Sequence, residues 1–338
     1  MPWAAESAEP PPAKRRNGIS RSAFLEFFEA YALLILIFVI GAFFTLYGET
    51  SDNFLTSANL RVLVSNQAVS AIVALGALIP LILNEYDLSV GAIAGLVAVF
   101  VANFLSGGMA IPLAILIGVG FGLGVGAITG FLVTKLRING VVATLAVSTL
   151  IAGVVTQKTG GHAAVSSIPE SFTSFGATNF LGVPKVAWVL FAVAVLVYVL
   201  LDHTTLGRKL YAVGSNMAAA ELVGLRTRVL IASTFVLAGG LCGLAGILYV
   251  SRAGGADPSV GPQYTLTGLA AAFLSAAAIK PGRFNAGGTI VAVFFLAILN
   301  NGLSLAGSPP YVASYVNGMA LIVGVGLSMY LARKRRPS

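Results

Sequence analysis

Asp87 and Asp257 each stand two positions before a serine, in the strings D-L-S-V-G at 87–91 and D-P-S-V-G at 257–261, which are 257 − 87 = 170 positions apart. A carboxylate at this spacing suits a helix cap, here before Ser89 or Pro258, so Asp87, Ser89, Gly91 and Asp257, Ser259, Gly261 are candidates for two matching helix starts. The other polar residues in apolar surroundings are amides: Asn66, Gln67, Asn103, Asn300, Asn301 and Asn317. Each needs a partner or water, and a neutral amide lining suits a hydroxyl-rich solute. Hydrogen bonding between helices, at about 0.6 kcal/mol per bond, explains the same residues equally well. No G-x-x-x-x-G-K-[ST] phosphate loop occurs, so nucleotide hydrolysis is not expected of this chain. The two histidines, His162 and His203, are expected on opposite sides of a membrane, which excludes a two-histidine metal site within one subunit. No nucleophile, base and orienting group fall into a pattern, and no catalytic residue is assigned.

Such residues need a scaffold, and composition defines it. Of 338 residues 57% are hydrophobic and 9% charged, with a mean hydropathy of +0.92, against about 25% charge in soluble domains. This is the composition of an all-α polytopic membrane protein. Glycine, at 39 residues, lets helices approach closely where lipid offers no hydrophobic drive. The lone Cys242 lies in an apolar run and reads as packing. The net charge of +8 does not point to nucleic acid, because Lys and Arg gather at the edges of apolar segments, as in cytoplasmic loops of membrane proteins. Residues 1–29 open Pro-rich and polar, without a cleavable leader, and are expected to be a disordered cytoplasmic tail. Residues 333–338 form a basic cytoplasmic tail.

Charges bound the spans, since each costs about 2.5–3.5 kcal/mol at a helix centre. Uncharged stretches run over 30–48, 62–84, 88–134, 138–157, 186–201, 229–251, 258–279 and 284–332. The two longest contain turns, Ser106-Gly107-Gly108 and Gly307-Ser308-Pro309-Pro310, and splitting them predicts ten transmembrane helices within 30–332. Ten spans with both termini inside put every basic cluster in the cytoplasm: Lys14 to Arg16, Lys135 with Arg137, Arg208 to Arg228, Lys280 with Arg283, and Arg333 to Arg336. The 158–185 loop is then external, and Glu85 and Arg252 are interfacial. Asp87 and Asp257 face opposite compartments. At the same offset Gly76 matches Gly246, Leu96 matches Leu266 and Gly118 matches Gly288. Spans two to five and seven to ten read as an inverted repeat, with a pathway at their interface that opens to either side.

Residues 207–228, G-R-K-L-Y-A-V-G-S-N-M-A-A-A-E-L-V-G-L-R-T-R, form a connector with a helix of about two turns over 217–223, capped by Asn216 and stopped by Gly224. So short a helix needs a surface to pack on. This stretch resembles the coupling region of permease subunits of ribose/xylose-type ABC importers, and the resemblance covers nearly all of the chain after the tail. It includes D-L-S-V-G at 87–91, N-G-V-V-A-T-L-A-V-S-T-L at 139–150 and I-L-N-N-G-L-S-L-A-G at 298–307. One departure is A-A-A-I-K-P-G-R-F at 276–284, where the family has a Gly-Gly-rich turn.

The resemblance implies that Gly207, Arg208, Tyr211, Gly214, Asn216, Ala219, Ala220 and Gly224 couple the chain to an ATPase. Anchoring span six is the other role open to Arg208. It further implies a permease in the bacterial inner membrane that imports a small neutral solute such as a monosaccharide or polyol. The partners implied are a second permease (identical or paralogous), two cytoplasmic ATP-binding subunits and an external solute-binding protein. No cofactor is expected on this chain, ATP and magnesium being bound by the ATPase. The competing reading is an ion-coupled secondary transporter, which usually requires an intramembrane carboxylate or a broken-helix ion site, and the uncharged spans argue against a proton relay.

Overall fold

The computed structural model describes residues 19–162 and 168–334, with side chains for 30–162 and 168–330. In chain order the helices are α1 (Ile19–Leu46), α2 (Ser51–Phe54), α3 (Ser57–Leu81), α4 (Val90–Ser106), α5 (Ile111–Thr134), α6 (Gly140–Thr159) and α7 (Glu170–Ala177). They continue with α8 (Lys185–His203), α9 (Thr205–Ser215), α10 (Met217–Leu222), α11 (Thr227–Ala253), α12 (Val260–Leu274), α13 (Ala286–Leu305) and α14 (Tyr311–Lys334). A small antiparallel hairpin, β1 (Asn179–Phe180) with β2 (Val183–Pro184), precedes α8. Each of the ten expected spans contains one α-helix, in the expected order. Among the described residues seven helices are long and apolar enough to cross a membrane, and Ala30–Leu46 and Val90–Ser106 are shorter apolar helices.

The boundaries differ from expectation at both ends. Helix α1 starts at Ile19, inside the stretch expected to be a tail, and residues 1–18 lie outside the described residues. Helix α14 continues to Lys334, and 335–338 lie outside. The 158–185 loop carries α7 and the hairpin, with 163–167 outside the described residues. Helices α4 and α12 are short, at 17 and 15 residues, or roughly 25 and 22 Å. A non-helical lead-in precedes each, and each lead-in contains one D-x-S-V-G aspartate.

Capping marks the starts of several helices. The Thr56 hydroxyl accepts from Asn59 N (3.2 Å) at α3, and Asn139 Oδ1 from Val141 N (3.0 Å) at α6. Helix α3 is buried on all sides from Ala68 to its end at Leu81, as a central helix of a large bundle should be. It packs on α11, α12 and α13, while α11 packs on α3, α4 and α5. Helix α4 packs on α6, and α12 on α14.

The tightest seam lies between α5 and α11. Gly118, Gly122, Gly126 and Gly130 recur every fourth residue and so share one face of α5. A Cβ at Gly122 would strike the Gly239 carbonyl, and one at Gly126 the Phe235 carbonyl. The two backbones are in direct contact, which replaces absent hydrophobic drive with dense van der Waals packing. Cys242, fully buried on α11, faces Gly76 of α3 across a similar gap: a Cβ there would sit 3.0 Å from Sγ.

Candidate functional site: a coupling face and two matched helix starts

Helices α9 and α10 lie at one end of the bundle. Thr204 Oγ1 caps α9 by accepting from Gly207 N (3.2 Å), and Asn216 Oδ1 caps α10 by accepting from Ala219 N (3.0 Å). Gly224, at φ +83°, adopts the left-handed conformation that ends the short helix. Within the expected coupling set, Gly207 is buried because a Cβ would strike the Leu201 carbonyl, and Gly214 lies against the Ile82 carbonyl. Arg208, Asn216, Ala219 and Gly224 are exposed, whereas Ala220 is buried at 4%. The outermost apolar side chains of this end are Leu222 and Val223, 89% and 78% exposed. They were not among the expected residues, although an apolar pair just before a stop glycine is visible in the sequence.

Two ties bind this connector to the bundle. Asn84, itself at φ +60°, donates from Nδ2 to the Gly214 carbonyl (2.9 Å), which fixes the α3–α4 turn to α9. On the other side Tyr211 donates its hydroxyl to the Phe284 carbonyl (2.8 Å), and the Arg283 guanidinium stacks 3.5 Å from the centre of the Tyr211 ring. Burial pushes the Tyr211 phenol above its ordinary value, with Arg283 acting against this, so the hydroxyl remains a donor at neutral pH. Lys280 Nζ pairs with Asp202 Oδ1 at the end of α8 (2.5 Å), with Arg283 at 3.9 Å.

The departing turn at 276–284 is held by Asn285. Its Nδ2 donates to the carbonyls of Ser275, Ala278 and Arg283 (each 3.0 Å), and its Oδ1 accepts from Gly288 N (2.7 Å). Ile279 sits at φ +61° in this turn, a costly conformation for a β-branched residue.

Between the α3–α4 turn, the α5–α6 turn, α10 and the start of α11 is a cavity of about 500 Å³. Glu85, Arg137, Glu221 and Arg228 line it, and no ion pair joins them among the described residues. Glu221 Oε1 instead accepts from the Thr227 hydroxyl (2.6 Å), and burial raises the Glu85 carboxyl above its usual range.

Of the six amides expected to line a pathway, Asn66, Asn300, Asn301 and Asn317 make hydrogen bonds between helices. Asn301 on α13 exchanges two hydrogen bonds with Asn59 on α3 (2.9 and 3.0 Å). Asn300 Nδ2 donates to Asn317 Oδ1 on α14 (3.2 Å), and Asn300 Oδ1 is buried without a partner. Asn66 accepts from Arg252 Nη1 on α11. Asn103 bonds its own helix at the Val99 carbonyl (2.7 Å), and Gln67 is half-buried. Arg252, expected at the interface, is half-buried, with its Nε sealed and unpaired. Nearby, Tyr264 meets Tyr249 edge to face with centroids 6.1 Å apart.

The two D-x-S-V-G strings form the same turn, one at the start of α4 and one at the start of α12. Asp87 Oδ1 accepts from Ser89 N (2.8 Å) and Ser89 Oγ (2.6 Å), and Asp257 Oδ1 from Ser259 N (2.8 Å) and Ser259 Oγ (2.7 Å). The bonds from Ser259 hold the Asp257 carboxyl below its usual range. Helices α4 and α12 then cross at the two glycines: a Cβ at Gly91 would strike the Gly261 carbonyl, and one at Gly261 would sit 3.1 Å from the Gly91 carbonyl.

The profile of the family described as Branched-chain amino acid transport system / permease component matches residues 60–325. The Ribose import permease protein RbsC of Escherichia coli (strain K12) is 31% identical over 87% of this chain and 90% of its own length. RbsC of Bacillus subtilis (strain 168) is 32% identical over 81% and 86%. The L-arabinose transport system permease protein AraH of Escherichia coli (strain K12) is 29% identical over 95% and 97%. No solved structure matches the chain. With a bundle of apolar helices, a connector tied to the bundle on two sides, and a profile match over most of its length, this chain belongs to the Branched-chain amino acid transport system / permease component family of multi-pass membrane permeases.

Proposed function

We propose that this chain is the membrane-spanning subunit of an ATP-driven, binding-protein-dependent importer of a monosaccharide or polyol. The carrying observation is the double tie of the connector: α9 holds the α3–α4 turn through Asn84 and the α12–α13 turn through Tyr211 and Arg283. Force applied to α10 by an ATPase would reach both halves of the bundle at once. The exposed Leu222 and Val223 supply an apolar contact for that partner, and Ala219 sits at the surface beside them.

On this reading α9 and α10 lie in the cytoplasm with both termini, all ten helices cross the membrane, and the 158–185 loop is external. The exchange of neighbours between α3 and α11, together with the matched starts of α4 and α12, supports an inverted repeat of α3–α6 and α11–α14. Ribose and arabinose appear in the names of the relatives, and the neutral amides around Asn301 and Asn317 suit such hydroxyl-rich solutes. A second permease, two ATPase subunits carrying ATP and magnesium, and an external binding protein complete the proposed assembly. The ion-coupled alternative is disfavoured by relatives named as a ribose import permease and an L-arabinose transport system permease.

The test is uptake of labelled pentoses into proteoliposomes containing this chain, the ATPase subunits and the binding protein. Uptake requiring ATP and all partners is expected. Uptake driven by a sodium or proton gradient from the chain alone would refute the reading.

A further inference from the structure

The cavity of about 500 Å³ lies on the opposite side of α10 from the surface proposed above for the ATPase. Met217 and Glu221, four residues apart on one face of the helix, line it. Ala219 and Leu222 are exposed on the other face, so an ATPase docked on them meets the side of α10 away from the cavity. The volume suits a small molecule, for which about 300–1,000 Å³ is usual.

Two cations reach this cavity from different segments, Arg137 from the α5–α6 turn and Arg228 from the first turn of α11. Neither guanidinium has an ion pair, hydrogen bond or ring contact among the described residues. Arg137 is held at φ +57°, a left-handed conformation that is costly for a residue with a side chain and that collects at ligand sites. The start of α6, which also opens here, is already served. Asn139 Oδ1 accepts from Val141 N (3.0 Å) and Val142 N (3.4 Å), and the Glu85 carboxyl lies against Gly140, where a Cβ would strike it. The two arginines are therefore the uncommitted anion-binding groups, and two N–H forks match the oxygens of one phosphate better than those of one carboxylate.

Acceptors stand in the same cavity. Glu221 uses Oε1 for the Thr227 hydroxyl, and its Oε2 has no partner among the described residues. Glu85 accepts no hydrogen bond from any described residue. Carboxylates accept from hydroxyls and repel a compact polyanion, so a ligand that satisfies both pairs carries one anionic group together with several hydroxyls.

We propose that this cavity binds a phosphate ester of a sugar or polyol, with the phosphate on Arg137 and Arg228 and the hydroxyls on Glu85 and Glu221. The bound ester joins α10 and α11 to the α3–α4 and α5–α6 turns and holds the connector still, which slows transport. On the importer reading, on which this consequence rests, such an ester is what phosphoryl transfer to an imported sugar yields. The site then lets the product of the next reaction restrain uptake. The same chemistry is offered by a soluble sugar phosphate and by the glycerol phosphate headgroup of phosphatidylglycerol.

The full chain is placed in phosphatidylcholine nanodiscs, and ribose 5-phosphate, inorganic phosphate and ribose are titrated against it by calorimetry. Saturable binding of the ester is expected, about tenfold or more tighter than that of phosphate or ribose. Arg137→Gln and Arg228→Gln should each weaken it by about tenfold or more, whereas Arg226→Gln, outside the cavity, should not. Native mass spectrometry with phosphatidylglycerol tests the second source: a lipid adduct that Arg137→Gln and Arg228→Gln abolish, without binding of ribose 5-phosphate, assigns the headgroup. Binding of neither, binding that survives both arginine variants, or an equal loss in Arg226→Gln overturns the site. In the complete importer, ribose 5-phosphate on the ATPase side should inhibit ATP-driven uptake in wild type, and that inhibition should be lost in Arg137→Gln. Binding without inhibition overturns the regulatory role. Absence of wild-type uptake defeats the importer reading and leaves the calorimetry to decide the site.

Discussion

The Arg283 guanidinium lies 3.5 Å from the centre of the Tyr211 ring, while the hydroxyl of that tyrosine donates to the neighbouring Phe284 carbonyl. One aromatic side chain thus joins the connector to the α12–α13 turn by stacking and by hydrogen bonding. Cation–π contacts contribute about 0.5–2 kcal/mol, according to desolvation. Removing Arg283 should loosen the turn without unfolding the bundle. For Arg283→Ala, ATP-driven uptake should fall about tenfold, since 1.4 kcal/mol corresponds to a factor of ten, while ATP hydrolysis by the assembled complex persists. Equal losses in both would show that the pair supports assembly rather than transmission.

Ala219 and Ala220 are neighbours with opposite surroundings, one exposed and one 4% accessible. Tryptophan at 219 should block association with the ATPase and leave thermal stability near wild type. At 220 it should instead overpack the chain's own interior, at a cost of about 1–3 kcal/mol. Co-purification with the ATPase and thermal unfolding in detergent separate the two outcomes. If Ala219→Trp still copurified fully, the partner would not sit on this face.

Burial raises the Glu85 carboxyl above the ordinary range, so the folded chain keeps this proton to higher pH than the unfolded chain. The sign follows from proton linkage: stability contributed at this site declines as pH rises from about 4.3, the ordinary glutamate value, through the folded pKa. Glu85→Gln cannot ionise, so it should match wild type at low pH and melt higher at neutral pH. Melting curves at pH 4 and pH 8 test this, and an offset that is the same at both values would contradict it.

On α5, Gly126 touches the Phe235 carbonyl, whereas a Cβ at Gly120 would meet nothing within 4 Å. Gly126→Val should therefore separate α5 from α11 and destabilise by about 1–3 kcal/mol or more. Gly120→Ala should remain within about 1 kcal/mol of wild type, in the direction of greater helix stability. Comparable losses for both would mean that the glycines act through backbone flexibility and not through close approach.

Local features were legible in the sequence. Charges mark the ends of apolar stretches because of their insertion cost, and each stretch holds a helix. Asn216 and Gly224 delimit α10 because capping and left-handed stops depend on neighbouring atoms alone. The Asp87 and Asp257 turns follow from a two-residue spacing for the same reason. Partners distant in the chain were not legible. Asn59 with Asn301 and Asn66 with Arg252 arise from how α3 packs against α13 and α11, which no local pattern encodes. The cation among the amides was likewise hidden, since Arg252 stands beside a helix end where an interfacial position would also satisfy it.

The glycine seam has a mechanical consequence. At the offset of 170, Gly122 and Gly126 on α5 correspond to Ala292 and Leu296 on α13 (122 + 170 and 126 + 170), and Gly239 and Gly243 on α11 correspond to Val69 and Val73 on α3 (239 − 170 and 243 − 170). The α5–α11 seam is closed backbone to backbone, while these matching positions on α13 and α3 carry side chains, of which Val73 packs against Gly268 of α12. Two helices in backbone contact have no side chains between them to rearrange, so α5 and α11 are expected to move as one body.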